Sequence, residues 1–340
     1  RYSLYSYYGP GDRYEFGDPI FSGGRRPLIS VSKVDRRESI KNYSGLEPRL
    51  SMNILLGKSS SIKASYNRMT QYIHLLSNTA ASSSLDVWTP STNNIKPEIA
   101  DAYVLGYFKN FKNNTYEASI ELYYKDLQNQ IDYIDGADLL INKYLEGDLL
   151  TGIGRAYGLE FLFKKNRGRF NGWLSYTIGR SELKIDGINK FEWYPTRYDQ
   201  THNFKITSTY KISDRVQFSG NFVYLTGTPV TFPSSKFVIQ GFVIPHNASN
   251  SRHQFRIPDY HRLDFSVTIK GRDEKKNGKV RKNDSELIIG VYNVYNRRNP
   301  FSIYFSQGDG MVTDSYVPGE VTRLSIIGSF VPSITYNFKF

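Results

Sequence analysis

Residues 262–270 read RLDFSVTIK. Leu263, Phe265, Val267 and Ile269 alternate with Arg262, Asp264, Ser266, Thr268 and Lys270. A period of two marks a β-strand with one apolar and one polar face. Residues 203–212, NFKITSTYKI, repeat it, with Phe204, Ile206, Tyr210 and Ile212 set against Asn203, Lys205, Thr207, Thr209 and Lys211. So do residues 329–340, SFVPSITYNFKF, where Phe330, Ile334, Tyr336, Phe338 and Phe340 share one face. The same pattern covers 47–56 and 115–122, and weaker alternation marks 60–73, 98–112, 152–165, 170–183, 215–227 and 285–297. With a partial strand at 1–8, the chain is expected to hold roughly twelve strands.

Composition removes several classes. The 340 residues contain no cysteine, which excludes a disulfide scaffold, a thiolate metal site and a Cys nucleophile. Mean hydropathy is −0.48, and no stretch approaches the ~20 apolar residues a membrane helix needs. Tyr 27, Phe 21 and Trp 3 make an aromatic-rich chain, unlike a disordered one. Lys+Arg 44 against Asp+Glu 32 gives +12. The basic residues cluster in short segments between the periodic ones, such as Lys164-Lys165-Asn166-Arg167-Gly168-Arg169, and no recognition motif accompanies them. Nucleic acid is therefore not an expected partner. The chain starts at Arg1 with no Met and no leader, so it is expected to be processed or to be a piece of something longer.

Alternation alone fits a soluble sandwich with a dry core or a membrane barrel with its apolar face in lipid. Connection lengths separate the two. Short links near 57–60, 113–114, 166–168 and 213–215 and a medium one at 271–284 alternate with long links at 77–97, 133–151, 184–198, 228–257 and 298–328. Outer-membrane barrels have short periplasmic turns and long outer loops, whereas a Greek-key sandwich has no reason to obey that rule. A last strand ending in Tyr336, Phe338 and Phe340 matches the terminal signal expected of substrates of the barrel-assembly machinery. The expected fold is thus an all-β, transmembrane antiparallel barrel wall. Pro48, Pro97, Pro258 and Pro332 then fall near the outer start of descending strands, where a missing N–H matters least. Phe204, Ile206, Tyr210, Leu263, Phe265, Val267, Ile334 and Phe338 should face lipid, and Lys205, Thr207, Asp264, Thr268 and Thr335 the lumen.

Several polar groups could carry chemistry, but each has a plainer reading. Asp259 and His261 alternate onto one strand face, and Asn250, Ser251 and His253 could mimic a nucleophile set. Loops rich in Ser and Asn produce such triples by chance, so no enzyme activity is expected. His246, His253 and His261 are spaced by seven and eight and match no compact metal motif. Residues 57–60, GKSS, lack the upstream glycine and the helix of a phosphate loop, and a hairpin turn explains them. No catalytic residue, cofactor or metal is assigned, and the substrate-binding residues are left unassigned.

Five stretches carry a family likeness: residues 73–111, 118–142, 155–165 (RAYGLEFLFKK), 256–267 (RIPDYHRLDFSV) and 290–305 (GVYNVYNRRNPFSIYF). In this order the chain resembles the C-terminal barrel half of TonB-dependent outer-membrane receptors, most closely the Bacteroidetes type with an N-terminal carboxypeptidase-regulatory-like domain. The resemblance implies a barrel of 22 strands, a plug inside it and a TonB-binding box near the N-terminus, a known size class with a plugged lumen. Residues 1–340 would then be the C-terminal part of the barrel, with plug and earlier strands outside this sequence. It further implies TonB-dependent import of a scarce or bulky solute across the bacterial outer membrane, with TonB acting through the missing N-terminal region. Expected partners are the bilayer, lipopolysaccharide, the barrel-assembly machinery, and a surface lipoprotein or larger outer-membrane complex. The rival reading is a receptor-like barrel kept as a structural subunit of such a complex. A third is a self-contained twelve-stranded barrel, in which 329–340 would pair with 1–8.

Overall fold

The computed structural model describes residues 1–76, 86–137, 139, 142–233, 235–239, 242–246, 251–272, 283–307 and 319–339. Eleven strands form one antiparallel wall in which each lies beside its neighbours in chain order. They are β1 (Arg49–Leu55), β2 (Ser60–Gln71), β3 (Glu98–Phe111), β4 (Tyr116–Tyr133), β5 (Leu149–Lys165) and β6 (Phe170–Ile185), then β7 (His202–Lys211), β8 (Val216–Leu225), β9 (Tyr260–Lys270), β10 (Asp284–Tyr292) and β11 (Val331–Lys339). The two-residue strand Tyr194–Pro195 adds to the upper part of β6 and brings the sheet to twelve.

The expected alternation of connections is present. Tight turns share one end of the wall. Gly57 and Gly168, both at φ 99°, supply the left-handed residue in two of them. Lys112, Asn113 and Asn114 supply three in succession between β3 and β4, two of them Asn, which tolerates that region. Long connections share the opposite end and carry hairpins of their own: Gly11–Phe16 with Leu28–Val34, Ile73–Leu76 with Val87–Pro90, Ser235–Ile239 with Phe242–His246, and Ser302–Gln307 with Gly319–Leu324. Alternation in the sequence does not reveal these hairpins, because four to seven residues are too few for it to stand out.

One strand sits elsewhere than expected. Tyr2–Tyr8 is not part of the wall sheet; it pairs with Ser39–Leu46. That strand runs through Glu47 and Pro48 into β1, and its ladder with Tyr2–Tyr8 ends where the Glu47 amide donates to the Arg1 carbonyl at 2.8 Å. Pro48 has no amide to donate, although its carbonyl accepts from Arg68 at 3.0 Å. Tyr2–Tyr8 therefore stands beside the upward continuation of β1. The far edge of β11 has no partner strand among the described residues, so the wall is open and does not close on the strand at 2–8.

Register shows the facing directly. Met52, Ala64, Leu105, Leu122, Leu159 and Ile178 follow one another across six strands. Leu174, Ile206, Phe222 and Leu263 continue the band across the next strands. This face is exposed, with Phe265 at 42% and Ile334 at 76%. Trp173, Thr207, Asn221 and Asp264 form a row on the other face. A sheet with a bare apolar face satisfies its side chains only if lipid replaces water. What buried apolar packing exists lies at the long-loop end, in one cluster of Leu150, Ile185, Ile188 and Tyr194 and another of Leu76, Ile95 and Leu149.

The wall predicts a sharp asymmetry between faces. Phe265→Arg should destabilise the full-length barrel by ~2–4 kcal/mol if it sits near mid-bilayer, while Thr268→Lys on the lumen face should change little. Urea unfolding of protein reconstituted in lipid vesicles reads both; equal losses would contradict the facing.

Candidate functional site

β4, β5 and β6 are the longest strands, with 18, 17 and 16 residues. A tilted strand crosses the hydrocarbon in about 9–11 residues, so their upper parts rise beyond it. There the long connections fold against the polar face and form a vestibule. A bulge in β4, where the register shifts between Leu127 and Gln130, helps to shape it. Asn129 is left-handed there at φ 54°, and its amide donates to the Pro97 carbonyl at 2.8 Å.

Ion pairs between distant segments hold the vestibule. Arg252 is 5% exposed and reaches β4 from the connection after β8. It donates to Asp132 Oδ1, to the Tyr133 carbonyl and to Asp135 Oδ1, each at 2.9 Å. Its guanidinium also lies 4.5 Å from the centre of the Tyr133 ring. Tyr194 donates to the other Asp132 oxygen at 2.8 Å. Asn189 and the Arg252 backbone exchange two hydrogen bonds of 3.0 Å, tying in the connection after β6. Burial opposes the charge on Arg252, but Asp132, Tyr133 and Asp135 outweigh it and hold the guanidinium more firmly charged than usual. A second anchor joins Arg256 to the buried Asp199, whose carboxylate also accepts from the Ser181 amide at 2.7 Å. A third joins Arg25 to the fully buried Asp148.

Next to these anchors is a cavity of about 330 Å³, lined among others by Gln71, Glu98, Gln130, Thr196, Arg197 and His253. It offers amides, a carboxylate, a guanidinium and the rings of Tyr133 and Tyr198. Thr196 Oγ1 is buried there with no hydrogen-bond partner among the described residues. Glu98 reaches outward from the cavity to His74, which is 1% exposed, with Oε1 lying 3.3 Å from Nδ1 while Nε2 meets Ser91 Oγ at 2.9 Å. The lumen wall below is polar as well. Arg262 pairs with Asp264 at 2.9 Å and donates to the hydroxyls of Tyr260 and Tyr292 at 2.7 Å each.

The residues singled out from sequence are not brought together. Asp259 accepts from the Tyr224 hydroxyl at 2.6 Å and the Gly227 amide at 2.9 Å, whereas His261 Nδ1 meets the Tyr295 hydroxyl at 2.8 Å. His253 Nδ1 donates to the Pro195 carbonyl at 2.8 Å. Asn250 lies outside the described residues, as does Phe340. Tyr336 and Phe338 are on the apolar face of β11, with ring centres 6.3 Å apart. Sequence reasoning did not find Arg252, Asp132, Arg256, Asp199 or the His74–Glu98 contact. Each joins segments whose meeting depends on loop folding, and no spacing in the sequence signals it.

A one-sided antiparallel wall with a polar lumen face and anchored outer loops defines a transmembrane β-barrel. The chain belongs to the TonB dependent receptor-like, beta-barrel family, whose pattern matches residues 4–294. Solved structures share its fold at low identity. The ferric-catecholate import receptor Fiu of E. coli K12 is 14% identical with a TM-score of 0.54, over 93% of this chain and 37% of that one. The siderophore receptor PiuA of Acinetobacter baumannii is 13% identical with a TM-score of 0.56, over 93% of this chain and 38% of that one. The ferric citrate transporter FecA is 15% identical with a TM-score of 0.55, over 88% and 38%. The chain thus spans less than two fifths of the length of these receptors. No curated protein matches it in sequence.

Two predictions test the vestibule. Arg252→Ala leaves the buried Asp132 with the Tyr194 hydroxyl and the Tyr133 amide but without its cation, and should destabilise this region by about 3–5 kcal/mol. Hydrogen exchange should show lost protection at 251–256 and 186–193 with the wall strands unchanged; uniform protection would remove the anchor's role. Burial depresses the pKa of His253 below its ordinary value, against the pull of Asp132. A free ring titrates near ~6.5, so between that value and the folded one the unfolded segment binds more protons. The contribution of His253 is complete above 6.5 and is lost as pH falls through the folded pKa. Acidification should therefore open the 251–256 segment in the native protein more than in His253→Gln, and equal opening in both would exclude the ring as the cause.

Proposed function

We propose that this chain is the lumen wall and outer-loop set of a TonB-dependent receptor that imports a scarce or bulky solute across the bacterial outer membrane. The observation that carries the reading is the polar vestibule, held by buried ion pairs over the lumen side of a wall whose other face is apolar. Parts outside this sequence would complete the machine: a plug in the lumen, a segment that engages TonB, and strands that cover the free edges of β1 and β11. The motifs at 73–111, 256–267 and 290–305 support the receptor type with a carboxypeptidase-regulatory-like domain found in Bacteroidetes. Tyr336, Phe338 and Phe340 are assigned to recognition by the barrel-assembly machinery. The Fiu and FecA names make ferric chelates the first cargo to test.

Uptake of labelled ferric chelates by cells with and without the full-length receptor tests this reading. Transport should require the receptor, TonB and the proton-motive force together. Uptake that persists without TonB would exclude energised import. A receptor that moves no cargo but is needed to keep a larger outer-membrane complex intact would support the structural role instead.

A further inference from the structure

The cavity beside the anchors has a one-sided chemistry. Register pairs Gln71 with Glu98 at the tops of β2 and β3, and both follow the lumen parity. Gln130 stands just past the bulge of β4, opposite Gly152. His253 joins them from the connection after β8, and Leu75, Leu76, Ile131 and Leu183 add an apolar lining.

The polar groups are mostly acceptors that lack donors. The Glu98 side chain is 22% exposed. His74 Nδ1, at 3.3 Å, makes no hydrogen bond to it, and no other donor among the described residues bonds either oxygen. Gln71 spends an amide N–H on the Ile73 carbonyl at 2.7 Å, which leaves its Oε1 as an acceptor. His253 donates from Nδ1 to the Pro195 carbonyl, and a carbonyl can only accept. Burial depresses the pKa of that ring, so at neutral pH its Nε2 is a bare lone pair. The Gln130 amide has no partner among the described residues.

The charges agree. Around the cavity, the carboxylates of Glu98, Asp132 and Asp135 outnumber the guanidiniums of Arg197 and Arg252. Arg252 is committed to Asp132 and Asp135. Arg197 donates to the Tyr198 hydroxyl and lies 4.5 Å from the centre of that ring. Among the described residues no lysine or arginine pairs with Glu98.

A half-enclosed carboxylate normally has hydrogen-bond donors, and one without them is completed by a ligand that brings its own. An ammonium brings three donors and a positive charge. We propose that Glu98, Gln71 and His253 bind a primary ammonium of the solute, with its apolar stem against Leu75, Leu76, Ile131 and Leu183. The inference rests on the vestibule being where the solute enters. A volume near 330 Å³ is at the low end for ligand pockets, so the cavity takes one such group and not the whole of a bulky solute.

The test uses the full-length receptor in nanodiscs and two probes that differ only in the ammonium, lysine blocked at its backbone ends and the same compound acetylated on Nζ. Magnesium chloride is the inorganic-cation control. Isothermal titration calorimetry at pH 7.5 should show the ammonium probe binding about tenfold or more tightly than the acetylated one, the worth of one charge-assisted hydrogen bond. Glu98→Gln should abolish that preference and leave the acetylated probe unchanged, a split that general loss of structure does not produce. Heat-modifiable gel migration reports whether each barrel is folded. Should Glu98→Gln not fold, Gln71→Leu decides, because that side chain is exposed and bonds only the Ile73 carbonyl. It should weaken the ammonium probe several-fold and spare the acetylated one. Equal binding of the two probes, binding of neither, or an undiminished preference in the folded variant tested would overturn the site. So would displacement of the ammonium probe by magnesium at equal concentration, which would mark a metal site instead. A receptor whose uptake needs TonB but which shows no ammonium preference loses only this site. One that prefers the ammonium while uptake persists without TonB keeps the site and loses energised import.

Discussion

The backbone of a strand in hydrocarbon has no water to bond, and each unpaired amide or carbonyl there costs several kcal/mol. The rest of this structure depends on that constraint. It sets the continuous antiparallel ladder from β1 to β11, and it confines short turns to one end and irregular chain to the other. It also makes the outer edges of β1 and β11 meaningful, because among the described residues each has a neighbour on one side only. Prolines respect the same rule. Pro97 and Pro258 precede the outer starts of β3 and β9, and Pro332 is the second residue of β11.

Once the ladder satisfies the backbone, the side chains on its two faces answer to different solvents. The outer band is built from Leu, Ile, Phe and Tyr that remain exposed because lipid takes the place of a core. Above the membrane the logic changes. Water is available, hairpins with small clusters such as Leu76, Ile95 and Leu149 become possible, and buried ion pairs replace lipid contacts as the means of holding segments in place. Arg252 shows how such a pair works. Its worth lies less in net attraction than in what is left if it goes, a buried Asp132 without its cation. Anchors of this kind give the loops one defined arrangement around the vestibule.

The wall strands were legible in the sequence because strand facing is a local property. Leu263, Phe265 and Val267 point one way and Asp264 and Thr268 the other for the same geometric reason, wherever the strand sits. The alternation of link lengths carried the topology for a similar reason, since neighbours joined by a tight turn must pair. The strand at Tyr2–Tyr8 was recognised, but its place was not, since that depends on where the chain through Glu47 and Pro48 leaves the ladder. The vestibule was not legible. Arg252 and Asp132 are 120 residues apart, and Arg25 and Asp148 are 123 apart. The charged cluster on the outer face of β5 and β6 shows the division most clearly. None of Arg155, Arg180, Glu182 and Lys184 stood out in the sequence, where they lie in or beside two weakly alternating segments. Only the register between β5 and β6 made them one cluster, because a pairing shifted by a single residue would have turned one strand's charges to the lumen.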